Sequence, residues 1–158
     1  MHEMLGNQYF LARKFKEAAG EFEKALLLKP HNSLIKKKLI VCYIKCKDFE
    51  IALKVFENLI NEDINIVLDS NSEKEDCPCK EIAYDIENSL TDLSEIEKTV
   101  SLGMLWLYCD IRKSLSYFQK LSHNNPQNII YKKVINQISN TLSNNYKGNY
   151  YGKERYYS

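Results

Sequence analysis

Cys77-Pro78-Cys79 is the short motif with the most chemistry in this sequence, because two thiolates one residue apart can converge on a soft metal or oxidise to a disulfide. A structural zinc site needs four ligands, however, and the remaining cysteines, Cys42, Cys46 and Cys109, fall within helical patterns whose distance from the pair the sequence does not fix. Cys42 and Cys46 share a helical face, where a small apolar side chain serves packing. The three histidines, His2, His31 and His123, are isolated from one another, and His31 and His123 fall near the ends of helical segments. No metal-binding histidine pair, nucleophile elbow or phosphate-binding glycine loop is present. The sequence therefore offers no catalytic residue, cofactor or metal site, and the expectation is a chain that is not an enzyme.

The elements that would carry any other activity are helices. At 158 residues and 44% hydrophobic content the chain can bury one domain's core. With five glycines and three prolines it cannot supply the many tight turns of a β-sandwich. The fold class read from composition is all-α. The net charge of +1 conceals a segregation: residues 62–97 hold twelve acids against Lys74 and Lys80, a local charge of −10 that leaves +11 on the remainder. Residues 1–8 lack the pattern of an export signal, and the longest apolar run, 102–109, is far shorter than the ~20 residues a membrane helix needs. Five cysteines, an odd number, then point to reduced thiols and a cytoplasmic setting, with no membrane partner.

Displacing the sequence by 34 residues places Leu5 on Leu39, Tyr9 on Tyr43, Phe15 on Phe49, Ala18 on Ala52 and Phe22 on Phe56. Each copy is an apolar stripe, a break at 12–16 or 46–50, and a second stripe, which two antiparallel helices satisfy. A third copy follows after an interruption. Ala52, Phe56 and Leu59 reappear 62 residues later as Ser114, Phe118 and Leu121, while Leu102-Gly103 and Trp106 are displaced by 63, so one residue is missing from the turn near Asp110. About one hairpin's length of chain is inserted between the second and third copies.

This pattern resembles the tetratricopeptide repeat family. Leu5, Gly6, Tyr9, Ala18, Phe22, Ala25 and Pro30 stand where that pattern asks in the first copy. The second keeps Leu39, Tyr43, Ala52 and Phe56 but has Lys36, Ile40, Leu59 and Ile64 at other pattern positions. The resemblance implies a right-handed superhelix of about three helical hairpins, at residues 1–32, 33–63 and 96–128, within a domain of residues 1–142. An acidic insertion spans 64–93, with an apolar start (Ile64, Ile66, Val67, Leu68) and a helix over 80–88 whose apolar side is Ile82, Ala83 and Ile86. Thr91 or Ser94 is placed to cap the next helix, with Glu95 or Glu97 completing a capping box. Ile130, Val134, Ile135, Ile138 and Leu142 form the stripe of a capping helix over 129–142, and the Tyr/Asn-rich residues 143–158 read as a flexible tail.

The family implies a concave groove lined by the first helix of each hairpin. Carried across, that face is Met4, Asn7, Phe10 and Leu11 from the first copy, Lys37, Lys38, Val41, Ile44 and Lys45 from the second, and Met104, Leu107 and Tyr108 from the third. Such a groove suits a protein or peptide partner that is acidic and carries apolar anchors. At the clamp positions for acidic chaperone tails stand Glu3, Asn7, Lys38, Glu97 and Ser101, of which Asn7 alone matches. The leading expectation is a non-catalytic interaction module or scaffold, with the acidic insertion folding over Lys37, Lys38 and Lys45 to compete with the partner. The alternative is RNA binding by the basic remainder and the tail residues Lys147, Tyr150, Tyr151, Lys153, Arg155, Tyr156 and Tyr157. A homo-oligomer, with the groove filled by a second copy, is a third reading.

Overall fold

The turns that close the first two hairpins are superimposable in their bonding. Arg13 and Lys47, 34 residues apart, both adopt the left-handed conformation, with φ of 61° and 63°. In each, the next amide reaches back to the helix it leaves: Lys14 N–H donates to the Tyr9 carbonyl at 2.9 Å, and Asp48 N–H to the Tyr43 carbonyl at 2.9 Å. The helices so joined are α1 (His2–Leu11) with α2 (Phe15–Leu28), and α3 (Ser33–Lys45) with α4 (Phe49–Asp63). The computed structural model describes the backbone of residues 1–69 and 78–157, with side chains described within those limits up to residue 144. Among the described residues every regular element is a helix, and the chain is all-α.

The insertion contributes a short α5 (Asn65–Leu68) and α6 (Cys79–Glu87), and the third hairpin is α7 (Glu95–Leu107) with α8 (Ile111–Asn124). The α7–α8 turn spans residues 108–110, as long as the turns at 12–14 and 46–48, so the residue missing from the third copy is lost from the end of α7 and not from the turn. None of its residues takes a left-handed conformation. Instead the Asp110 carboxylate caps α8, accepting from Arg112 N–H at 3.0 Å and Lys113 N–H at 3.2 Å. Of the alternative caps for α7, Ser94 with Glu97 forms the reciprocal box. Thr91 makes no such bond, and its buried hydroxyl has no hydrogen-bond partner. The last helix, α9, runs from Ile129 to Tyr157, past the end expected at Leu142. The side chains of 145–158, including the tail residues considered for RNA binding, lie outside the described set, as does Cys77.

Buried phenyl rings tie the hairpins internally and to one another. Phe10 meets Phe15 edge-on at 5.8 Å and Phe22 at 6.2 Å, inside the first hairpin. Phe56 of α4 stacks on Phe118 of α8 at 5.7 Å, and Phe118 reaches Tyr131 of α9 at 6.5 Å. The second half of the chain thus packs back on α4. Of the described cysteines, Cys42, Cys46 and Cys109 are free thiols. Cys42 is buried, and burial pushes its thiol up to about 12, which leaves it an inert packing group. Cys79 is disulfide-bonded, so the expectation of five reduced thiols does not hold.

Candidate functional site

The ten residues carried onto a concave groove do not line an open groove. Phe10, Lys37, Val41, Met104, Leu107 and Tyr108 are all buried. Phe10 is consumed by its ring contacts inside the first hairpin. At the centre, the Tyr108 hydroxyl donates to the Lys37 carbonyl at 2.6 Å in a buried contact between α7 and α3. That bond draws the end of the third hairpin onto the second. The insertion adds α5 against α3, with Ile64 and Val67 buried, and packs α6 on α7, where Glu87 accepts from the Trp106 indole N–H at 2.7 Å and from the Tyr117 hydroxyl of α8 at 3.2 Å. Along α7, and along α3 at Lys37 and Val41, the inner face is thereby buried. Lys37, with 4% of its surface exposed, belongs to this packed region, and the insertion does not lie across Lys38 or Lys45 in the described residues.

Four of the ten remain accessible, and they lie together on α1 and α3. The Lys38 ammonium donates to Asn7 Oδ1 at 2.8 Å, which joins the two first helices at their solvent side. Lys45 sits two turns farther along α3 and its ammonium lies 5.9 Å from the Phe15 ring centroid, within reach of a cation–π contact. Leu11 is 56% exposed, and Met4, one turn before Asn7, is 67% exposed. Leu34 completes the patch at 52% exposure, one turn before Lys38. Its signal was available, since 34, 38 and 45 follow the spacing of one helical stripe, but its apolar type assigns it to a core by default. The face therefore offers three aliphatic side chains beside two ammonium groups, with Glu3 a half-buried carboxylate nearby.

The titratable groups elsewhere are engaged in holding helices together. His2 Nδ1 lies 2.7 Å from Glu21 Oε2 across the first hairpin, and that hydrogen bond, with Lys24 assisting, holds the Glu21 carboxyl below its ordinary range. Lys36 donates to Asn58 at 3.0 Å and to Glu62 at 2.9 Å across the second, and lowers the Glu62 carboxyl in the same way. Among the described residues no three His, Cys, Asp or Glu side chains converge as a metal would require. No described helix is long and apolar enough to cross a membrane. Neither a family model nor a curated protein matches this chain.

Proposed function

We propose that the chain is a non-catalytic protein-interaction module of the tetratricopeptide type, which holds an acidic partner segment with apolar anchors on the α1–α3 face. The observation that carries this reading is the coincidence of Met4, Leu11 and Leu34, all more than half exposed, with Lys38 and Lys45 on α1 and α3. Large exposed aliphatic groups are costly to leave in water, and lysines beside them steer a carboxylate-bearing chain and favour its retention. Asn7 supports the role by fixing the Lys38 ammonium at the rim.

A displayed peptide library selected against the intact chain tests this. The expected survivors are rich in Asp and Glu with Leu, Ile or Phe anchors. Their affinity falls about tenfold in a Lys38→Glu, Lys45→Glu double variant of equal helicity, and also falls as salt rises. Selected peptides without carboxylates, or binding that the double variant leaves unchanged, would remove the α1–α3 face from consideration.

A further inference from the structure

α6 occupies on α7 the place that a hairpin's second helix occupies on the first helix of the next hairpin. Between α2 and α3 the joining contact is the Tyr43 hydroxyl donating to Glu23 Oε1 at 2.6 Å. Between α6 and α7 it is the Trp106 indole N–H donating to Glu87 Oε1 at 2.7 Å. Tyr43 and Trp106 hold the same repeat position, three residues after Ile40 and Gly103. The insertion therefore supplies a substitute second helix, which presents Cys79, Ile82, Ala83 and Ile86 as a buried stripe and leaves Glu81 and Tyr84 in solvent. Those four anchors fall at i, i+3, i+4 and i+7, the spacing by which an amphipathic helix fills a groove.

The polar attachment of this helix converges on one side chain, Glu87, which accepts from Trp106 of α7 and, at 3.2 Å, from the Tyr117 hydroxyl of α8. α7 is its one extensive helical neighbour among the described residues. At its carboxyl end an open cleft of about 500 Å³ remains, lined by Ile86, Glu87, Lys98, Leu102, Tyr117 and Lys120 among others. Nine residues are too few for a helix to persist by itself, since isolated helices below ~12–15 residues are marginal in water. α7, by contrast, is held without α6. The Ser114 hydroxyl donates to the Gly103 carbonyl at 2.6 Å from α8, and the Tyr108 hydroxyl bonds to α3. An element with few attachments on a well-held platform is the kind that opens as a unit.

We propose that the α7 surface around Trp106 is a helix-binding seat, that α6 is its resident occupant, and that an acidic amphipathic helix of a partner protein takes its place. The partner's chemistry follows from the occupant: branched or small apolar residues at the four anchor spacings and a carboxylate immediately after the last. Charge agrees with this choice. α6 carries Glu81, Asp85 and Glu87 against Lys80, whereas beyond its end the cleft presents Lys120 and Lys98, the latter ion-paired with Glu95 at 3.7 Å, and Lys113 lies 3.9 Å from the Trp106 ring centroid. A partner helix longer than nine residues also extends into the open cleft, where α6 stops. That added contact offsets the advantage α6 has from being tethered.

Trp106 is the only tryptophan, so its emission reads the seat directly. In the full chain, Ile82→Asp with Ile86→Asp is expected to release α6 and shift the Trp106 emission to the red. A synthetic peptide of residues 78–90 carrying Cys79→Ala should then restore the emission saturably, and adding Glu87→Ala to that peptide should weaken it about tenfold. A variant that stays helical but gives no saturable return overturns the proposal. Should the double variant lose α7 and α8 as well, amide hydrogen exchange on the unmodified chain decides. Amides of 82–87 exchanging well ahead of those of 99–105 support a separable occupant, and one common rate for both segments refutes it.

Discussion

Gly6 and Gly103 stand at one repeat position, and each lets a phenyl ring of the paired helix lie against its backbone. A Cβ at Gly6 would come 2.7 Å from Phe22 Cδ1 and Cε1, and one at Gly103 would come 3.0 Å from Phe118 Cε2. Both rings are fully buried and have nowhere to retreat. Gly6→Ala is therefore expected to lower stability by about 1–3 kcal/mol through overpacking, although alanine is the better helix former. Gly20, also helical, has nothing within 4 Å of its Cβ position, so Gly20→Ala should raise stability by about 0.5–1 kcal/mol. Urea midpoints of the two variants, moving in opposite directions, check the argument. This part of the molecule was legible because a glycine before an aromatic partner has a local cause. Lys37 was not legible. A lysine on an amphipathic helix reads as solvent-facing, and only the bond from Tyr108, 71 residues away, shows that its backbone lies in the core.

The third turn, equal in length to the other two but different in conformation, shows how an element's end is set by alternatives of similar cost. The first two hairpins place a residue in the left-handed conformation, which costs an L-residue roughly 1–2 kcal/mol. The third dispenses with that conformation and relies on the Asp110 cap. Asp110→Ala is accordingly expected to cost about 1–2 kcal/mol. Asp48→Ala, at the start of α4 where no side-chain cap bond is made, should cost less than about 0.5 kcal/mol. Thermal melts of the pair, followed by circular dichroism, give the comparison. Helix positions were legible wherever an apolar stripe recurs every three to four residues: the three hairpins, the stripe of α6, and the start of α9. The continuation of α9 through residues 143–157 was not, since a segment rich in Asn, Gly and Tyr has neither helical propensity nor a stripe to announce it. In sequence the insertion is acidic chain with an apolar start and one helix. Its use of that helix as a hairpin's second member depends on Glu87 finding Trp106, which is a tertiary event.

Across the whole molecule, the repeat pattern describes each hairpin but not the path by which the third returns to the second. Local stripes specify contacts within about 34 residues, whereas the third hairpin is joined to the second by contacts spanning 62 and 71 residues, from Phe56 to Phe118 and from Lys37 to Tyr108. An array whose units touch only their sequence neighbours unfolds in parts, and contacts of this longer kind make it unfold together. Phe56 is the side chain best placed to test that coupling, because its stacked partner lies in α8 and, through Phe118, reaches α9. Phe56→Ala is expected to cost about 3–5 kcal/mol, as a buried aromatic truncation does. Its more telling effect should be on cooperativity. Trp106 reports on the third hairpin and far-ultraviolet ellipticity on all helices, so the two urea transitions coincide in the native chain if it unfolds as one unit. In Phe56→Ala the Trp106 transition should separate from the ellipticity transition, because the ring stack that ties α8 to α4 is lost and the remaining contacts of α4 with α7 and α9, with the Tyr108 bond to α3, must then carry the coupling between the halves. Phe22→Ala, which empties a site inside the first hairpin, supplies the control: it should cost a similar amount without changing how α7 and α8 are joined to α4. Transitions that stay coincident in Phe56→Ala at reduced stability would place the coupling elsewhere, in the α5 contact with α3 and the Tyr108 bond, and would make the filled inner face itself the keystone of the fold.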